Sequence, residues 1–118
     1  MTKPSPNSGK RATPSDHAKG HRARMRGKLL EKGSAALTEL EILEMLLYAG
    51  APRGDTKPLA KRLIRTFKSL SAVLRAGADD LRPIKDMGDT AIAAVKIAEA
   101  AGLQISHSRV KGKPVLTH

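Results

Sequence analysis

Apolar residues in this chain recur at steps of three and four, the period of a helix that buries one face. The pattern is absent before residue 16. Pro4, Pro6 and Pro14 stand there among Ser, Asn, Thr and Lys, so residues 1–15 read as a disordered basic tail. Asp16 is placed to cap a first helix that runs through Met25, Leu29 and Leu30 and stops at Gly33. Thr38-Glu39-Leu40-Glu41 has the spacing of a capping box, in which the hydroxyl and the third-position carboxylate each satisfy an orphan amide. Leu40, Leu43, Leu46 and Leu47 follow at helical spacing with Ile42 and Met45, until Gly50 and Pro52 mark a stop. Asp55 caps a third helix with the stripe Leu59, Leu63, Ile64 and Phe67. Ser69 opens a short helix with Leu70, Val73 and Leu74, ended by Gly77. A second short helix from Asp79 turns Leu81 and Ile84 inward. After Lys85-Asp86-Met87-Gly88, a longer helix carries Ile92, Val95 and Ala98, with Ile97 to one side, and ends at Gly102. Periodicity is lost from Gln104, so residues 104–118 read as a linker. The prediction is an all-α fold: a small bundle of five to six short helices over residues 16–103, ending in a helical hairpin, with disordered basic ends.

Composition sharpens this picture. Tyr48 and Phe67 are the only aromatic residues, so a core must be built from Leu, Ile, Val, Ala and Met, which favours helix on helix. There is no cysteine, which excludes disulfides and thiolate metal sites and points to a reducing, cytoplasmic compartment. The apolar run from Met45 to Pro52 is far too short to cross a bilayer, and Met1 to Gly20 lacks the apolar stretch of a secretory signal. The net charge of +11 is unevenly placed. Residues 1–32 hold nine Lys/Arg against Asp16 and Glu31, and residues 104–118 hold Arg109, Lys111 and Lys113 without an acid. Residues 33–103 are close to neutral, with ten basic and nine acidic side chains. Basic ends on a neutral body suggest tethering to a polyanion.

The inventory of reactive groups argues against an enzyme. His17, His21, His107 and His118 lie in or beside the basic ends, away from the carboxylates of the body. His17 and His21 share a helix face, but no third ligand accompanies them, so they read as solvated histidines and no metal or other cofactor is expected. No Ser or Thr sits in a nucleophile-elbow or phosphate-loop pattern, and Asp79 and Asp80 read as first-turn acids that suit the helix dipole. Binding is better supported. Lys57, Lys61, Arg65 and Lys68 follow one another at steps of four, four and three and share one face of the third helix. Arg22, Arg24 and Arg26 make the first helix basic. Leu81 to Val95 has the layout of a helix-hairpin-helix, a motif that holds a nucleic-acid backbone on the amides opening its second helix. Lys85 lies in its turn, where Gly88 is expected to supply positive φ and close approach. Those nine residues are the candidate nucleic-acid contacts.

The residues from His21 to about Leu103 resemble the N-terminal region of the RadC-like family of bacterial proteins. The resemblance is carried by His21-Arg22-Ala23-Arg24-Met25-Arg26, by Leu40 to Tyr48, by Lys57-Pro58-Leu59-Ala60, and by Phe67-Lys68-Ser69-Leu70 followed by the hairpin. It implies a link to DNA repair. It also implies that a JAMM-type metal-hydrolase domain follows a segment similar to Gly112-Lys113-Pro114-Val115-Leu116. The His-x-His and downstream Ser/Asp of that domain are absent here, so the chain is expected to be an isolated N-terminal module. Against the family's pattern, Asp86 stands where the hairpin usually has glycine, Ala91 where a basic residue is common, and Ile92 where a small alanine is typical. The leading functional expectation is sequence-independent DNA binding. The alternative is an adaptor that binds a protein or positions the hydrolase domain. A third reading, a helix-turn-helix from the second and third helices, is disfavoured by the long connector from Gly50 to Gly54.

Overall fold

The computed structural model describes residues 14–51 and 54–111, with side chains for 19–51 and 54–109. Among the described residues there are six α-helices and no strand: α1 (Pro14–Lys32), α2 (Glu39–Leu46), α3 (Lys57–Phe67), α4 (Leu70–Arg75), α5 (Ala78–Leu81) and α6 (Asp89–Lys111). Short 3-10 turns at Ser34–Ala36 and Leu47–Gly50 flank α2. The fold is all-α, as the apolar period required. Residues 1–13 and 112–118, which hold most of the expected tail and the end of the expected linker, lie outside the described residues.

The caps read from the sequence mostly hold. At α2 the Thr38 hydroxyl accepts from the Glu41 amide at 3.1 Å, and the Glu41 carboxylate accepts from the Thr38 amide at 3.0 Å, the reciprocal capping box. The Ser69 hydroxyl accepts from the Ala72 amide at 3.0 Å and starts α4. Asp55 accepts from the Lys57 amide at 2.9 Å, one residue outside the N-cap position held by Thr56. The Thr56 hydroxyl instead donates to the carbonyl of Glu44 at 2.9 Å, tying α3 to α2. Two boundaries differ. Asp16 falls inside the first turn of α1, which starts at Pro14, a residue suited to a first helical position. At the other end Gly102 does not stop α6, which runs on to Lys111. A mid-helix glycine costs only about 1 kcal/mol, and Gly102 lacks the positive φ of a helix end. The helix therefore continues into residues first read as linker.

The core is the apolar stripes of α2 to α6 brought to one centre. Leu43 and Leu47, Leu59 and Leu63, Val73, Leu81, and Ile92 with Val95 are all buried. Met87, Ala60 and Ala91 join them, and Phe67 and Ile84 pack against the cluster partly exposed. Leu30, counted among the apolar residues of the first helix, is 76% exposed, so Met25 is the buried anchor of α1. Gly50 comes close to α6. A Cβ on Gly50 would stand 2.7 Å from the Cα and Cβ of Ala91. This contact explains the small residue at 91, because a longer basic side chain there would have to displace the Leu47–Gly50 turn.

Candidate nucleic-acid interface

Helix α3 turns Leu59, Ala60 and Leu63 inward, which leaves the opposite face to Lys57, Lys61, Arg65 and Lys68. All four are exposed, and no carboxylate among the described residues lies within ion-pair distance of any of them. Lys68 ends the helix in a left-handed conformation at φ 86, its amide donating to the Ile64 carbonyl at 2.7 Å. That turn sets the chain for Ser69 to cap α4.

Between the second and third of these cations, Arg62 leans towards the hairpin. Its guanidinium donates to the Lys85 carbonyl at 3.1 Å and lies 3.7 Å from the Asp86 carboxylate. The basic face of α3 and the hairpin turn therefore border one another. In the turn, Asp86 takes the left-handed conformation at φ 72. Gly88 does not take positive φ, and a Cβ added to it would meet nothing within 4 Å, so the expected role of Gly88 falls to Asp86. Aspartate tolerates this region better than most residues because its short side chain can hydrogen-bond locally. Gly88 sits just ahead of α6 and gives its carbonyl to the Ile92 amide at 3.0 Å. Met87, buried between the two, anchors the turn in the core. Both hairpin acids face an arginine: Asp86 faces Arg62, and Asp89 accepts from Arg82 at 2.7 Å. Lys85 and Gly88 are exposed.

The structure separates the candidates on α1. Arg24 and Arg26 are exposed, but they belong to a helix that packs on α2. Arg22 turns inward. Its guanidinium lies 4.3 Å from the centre of the Tyr48 ring and donates to the carbonyls of Ala51 and Gly54, the latter at 3.0 Å. It is a clamp holding α1 to the corner between α2 and α3. His21 beside it is not a free solvated histidine either, since its Nε2 lies 2.9 Å from the carboxylate of Glu44, which is 1% exposed. Burial, then the nearby Glu44 charge, push the Tyr48 hydroxyl above its ordinary pKa, with Arg22 opposing them. His17's side chain lies outside the described residues.

Sequence reasoning missed Glu44 and Arg62. A signal for Glu44 was present: it lies four residues after Leu40 and three before Leu47, on the face that becomes core. Arg62 carried no such signal, because its partner Asp86 is 24 positions away and meets it only through the fold. What the assembled surface can do is place several guanidinium and ammonium groups against an extended anion. Among the described residues, no group of three or more His, Asp or Glu side chains is arranged to hold a metal ion. No helix among them is long and apolar enough to cross a membrane.

Residues 19–93 match the region described as UPF0758 N-terminal. The chain is 36% identical over 101 residues to a UPF0758 protein of Ruegeria pomeroyi, covering 86% of this chain and 45% of that protein. It is 38% identical over 93 residues to one of Rhodobacter capsulatus, covering 79% and 44%. To one of Fusobacterium nucleatum it is 39% identical over 97 residues, covering 82% and 42%. It thus spans less than half the length of these relatives. No solved structure matches it. With most of its length aligned to the family's N-terminal region, this chain belongs to the UPF0758 family, which is the RadC family.

Proposed function

We propose that this chain is a DNA-binding module that grips the phosphate backbone without reading sequence, in the cytoplasm and in the service of DNA repair. The observation that carries the reading is the exposed row Lys57, Lys61, Arg65 and Lys68, free of carboxylate partners among the described residues and bordered by the hairpin turn. In this reading the turn is a helix-hairpin-helix. Arg62 and Arg82 offset the acids that would otherwise repel a phosphate from the amides opening α6. Phosphate contacts of this kind position a protein on a duplex and carry no sequence information. The test is the charge reversal Lys61→Glu with Arg65→Glu. It weakens binding to duplexes of unrelated sequence alike and lowers the slope of log affinity against log salt by about 2. Affinity unchanged by that double reversal rules the surface out.

A second reading is favoured by the length of the relatives, more than twice the region shared with this chain. In it the module is an adaptor that positions a following JAMM-type metal-hydrolase domain. Replacing Asp86 with Gly separates the two, because it removes a negative charge beside the hairpin amides. Tighter DNA binding, by on the order of 1 kcal/mol at this screened site, supports the clamp. Unmoved affinity makes the hairpin a structural joint and favours the adaptor.

A further inference from the structure

Helix α1 is joined to the body by other means than those that hold α2 to α6 together. No described side chain of α1 belongs to the apolar core or packs against it. Met25 is buried outside that cluster, and Leu30 points into solvent. The ties are polar. His21 meets the Glu44 carboxylate at 2.9 Å, and the Lys28 ammonium donates to Glu41 at 3.1 Å. The Arg22 guanidinium covers the Tyr48 ring and donates to the carbonyls of Ala51 and Gly54. The surface beneath is polar as well. Glu44 is buried, and the buried Tyr48 hydroxyl has no hydrogen-bond partner among the described residues. Exposing that carboxylate, that hydroxyl and the two carbonyls recovers hydration that docking gave up. The helix has little to sustain it alone, with Gly20 and Gly27 in its interior. Like charges also stand four apart at Arg22–Arg26 and Arg24–Lys28.

We propose that α1 is a strap that leaves the body as one unit while α2 to α6 stay folded, and that a polyanion favours the released state by taking up Arg22 and Lys28. Only the polyanion step rests on the nucleic-acid reading. A ligand shifts such an equilibrium by its differential affinity for the two states. Docked, α1 turns Arg24 and Arg26 outward while the body holds Arg22 and Lys28. Released, all four face a phosphate chain together, and each added contact sets free counterions and strengthens binding. The acids that held them, Glu41 and Glu44, stay behind on α2. The strap carries six Lys/Arg against Asp16 and Glu31, so a polyanion draws it off the body.

Hydrogen exchange on the whole chain reads the release. The amides from Ala23 to Lys32 are expected to share one opening, about 100-fold or more frequent than the opening that exposes Leu63 and Val95. Arg22→Ala raises that opening about tenfold, as far along the helix as Leu29 and Leu30. Ile92→Val, a mild change in the core, speeds exchange at Leu63 and Val95 about fivefold and leaves α1 as it was. If Ile92→Val speeds α1 equally, the helix opens only with the body, and the proposal is overturned. If Arg22→Ala leaves Leu29 and Leu30 unmoved, α1 frays residue by residue, which overturns it too. The polyanion step is read at Tyr48, the only tyrosine in a chain without tryptophan. Long-chain inorganic polyphosphate, which is transparent where tyrosine absorbs, is expected to raise acrylamide quenching of Tyr48 fluorescence about twofold or more. Polyphosphate that leaves Tyr48 as covered as before, bound or not, overturns the switch. A duplex of about 20 base pairs separates the two readings. If it fails to bind while polyphosphate uncovers Tyr48, the DNA-binding reading falls and the strap stands.

Discussion

Glu44 is a carboxylate placed where the spacing of α2 calls for an apolar side chain, and it is held there by His21 from α1. A buried carboxylate that loses its hydrogen-bond partner costs more than the bond contributed, because its desolvation is no longer offset. His21→Ala is therefore expected to lower unfolding free energy by about 2–3 kcal/mol. His21→Ala combined with Glu44→Leu should lose less than His21→Ala alone, an inequality that urea denaturation of the variants measures. Asp86 shows the opposite situation, a strained backbone carrying an ordinary exposed side chain. Its φ of 72 makes glycine the better residue, so Asp86→Gly is expected to keep or raise the melting temperature. Asp86→Ala should cost about 1 kcal/mol, since alanine cannot enter the left-handed region without strain. The ion pair to Arg62 is half-exposed and long, and its loss weighs little against that.

The capping box of α2 is the element whose pH dependence can be stated. The Glu41 carboxyl is held below its ordinary 4.5, first by the hydrogen bond from the Thr38 amide and then by the one from the Lys28 ammonium. A group whose pKa falls on folding stabilises the fold while ionised. Its contribution is complete above the ordinary value and drains away as the pH drops from there through the lowered one. Wild type is thus expected to exceed Glu41→Gln in urea midpoint at neutral pH and to converge with it in acid. Thr38→Ala, which removes the other half of the box, should cost about 1 kcal/mol. Between elements, a tight constraint is the crossing of the Leu47–Gly50 turn and α6. Gly50→Ala forces a Cβ into the Ala91 backbone at 2.7 Å and is expected to destabilise by about 1–3 kcal/mol. Ala91→Gly relieves only part of that, because the Cα and amide nitrogen of residue 91 remain in the way.

For the molecule as a whole, charge decides more than shape. The near-neutral body carries on α3 a row of cations that has no carboxylate partner among the described residues, while three other basic side chains of the body are spent on contacts within it. Arg62 and Arg82 pair with the hairpin acids, and Lys96 reaches the Leu74 and Ala76 carbonyls and Glu99. Four phosphate contacts by the α3 row would make affinity fall roughly 10²-fold between 50 and 200 mM salt, and basic ends that join in would steepen the slope. Fluorescence anisotropy with a labelled duplex measures it. A slope near zero would leave the adaptor reading.

The apolar period and the caps at Thr38 and Ser69 determined the helices by themselves, because both signals act over one to four residues of chain. The exposed row on α3 was legible for the same reason, since residues at steps of four, four and three share a face wherever the helix is placed. The tertiary structure alone decided which basic residues remain available. Arg22 has the same local setting as Arg24 and Arg26, yet it is drawn over Tyr48 and onto the Ala51 and Gly54 carbonyls, 29 and 32 positions away. His21 and Arg62 likewise found partners 23 and 24 positions off. Nor could spacing assign the left-handed turn residue, because glycine permits a positive φ without requiring it. At Gly88 nothing demanded that conformation, and the turn takes it two residues earlier, at Asp86, ahead of the buried Met87.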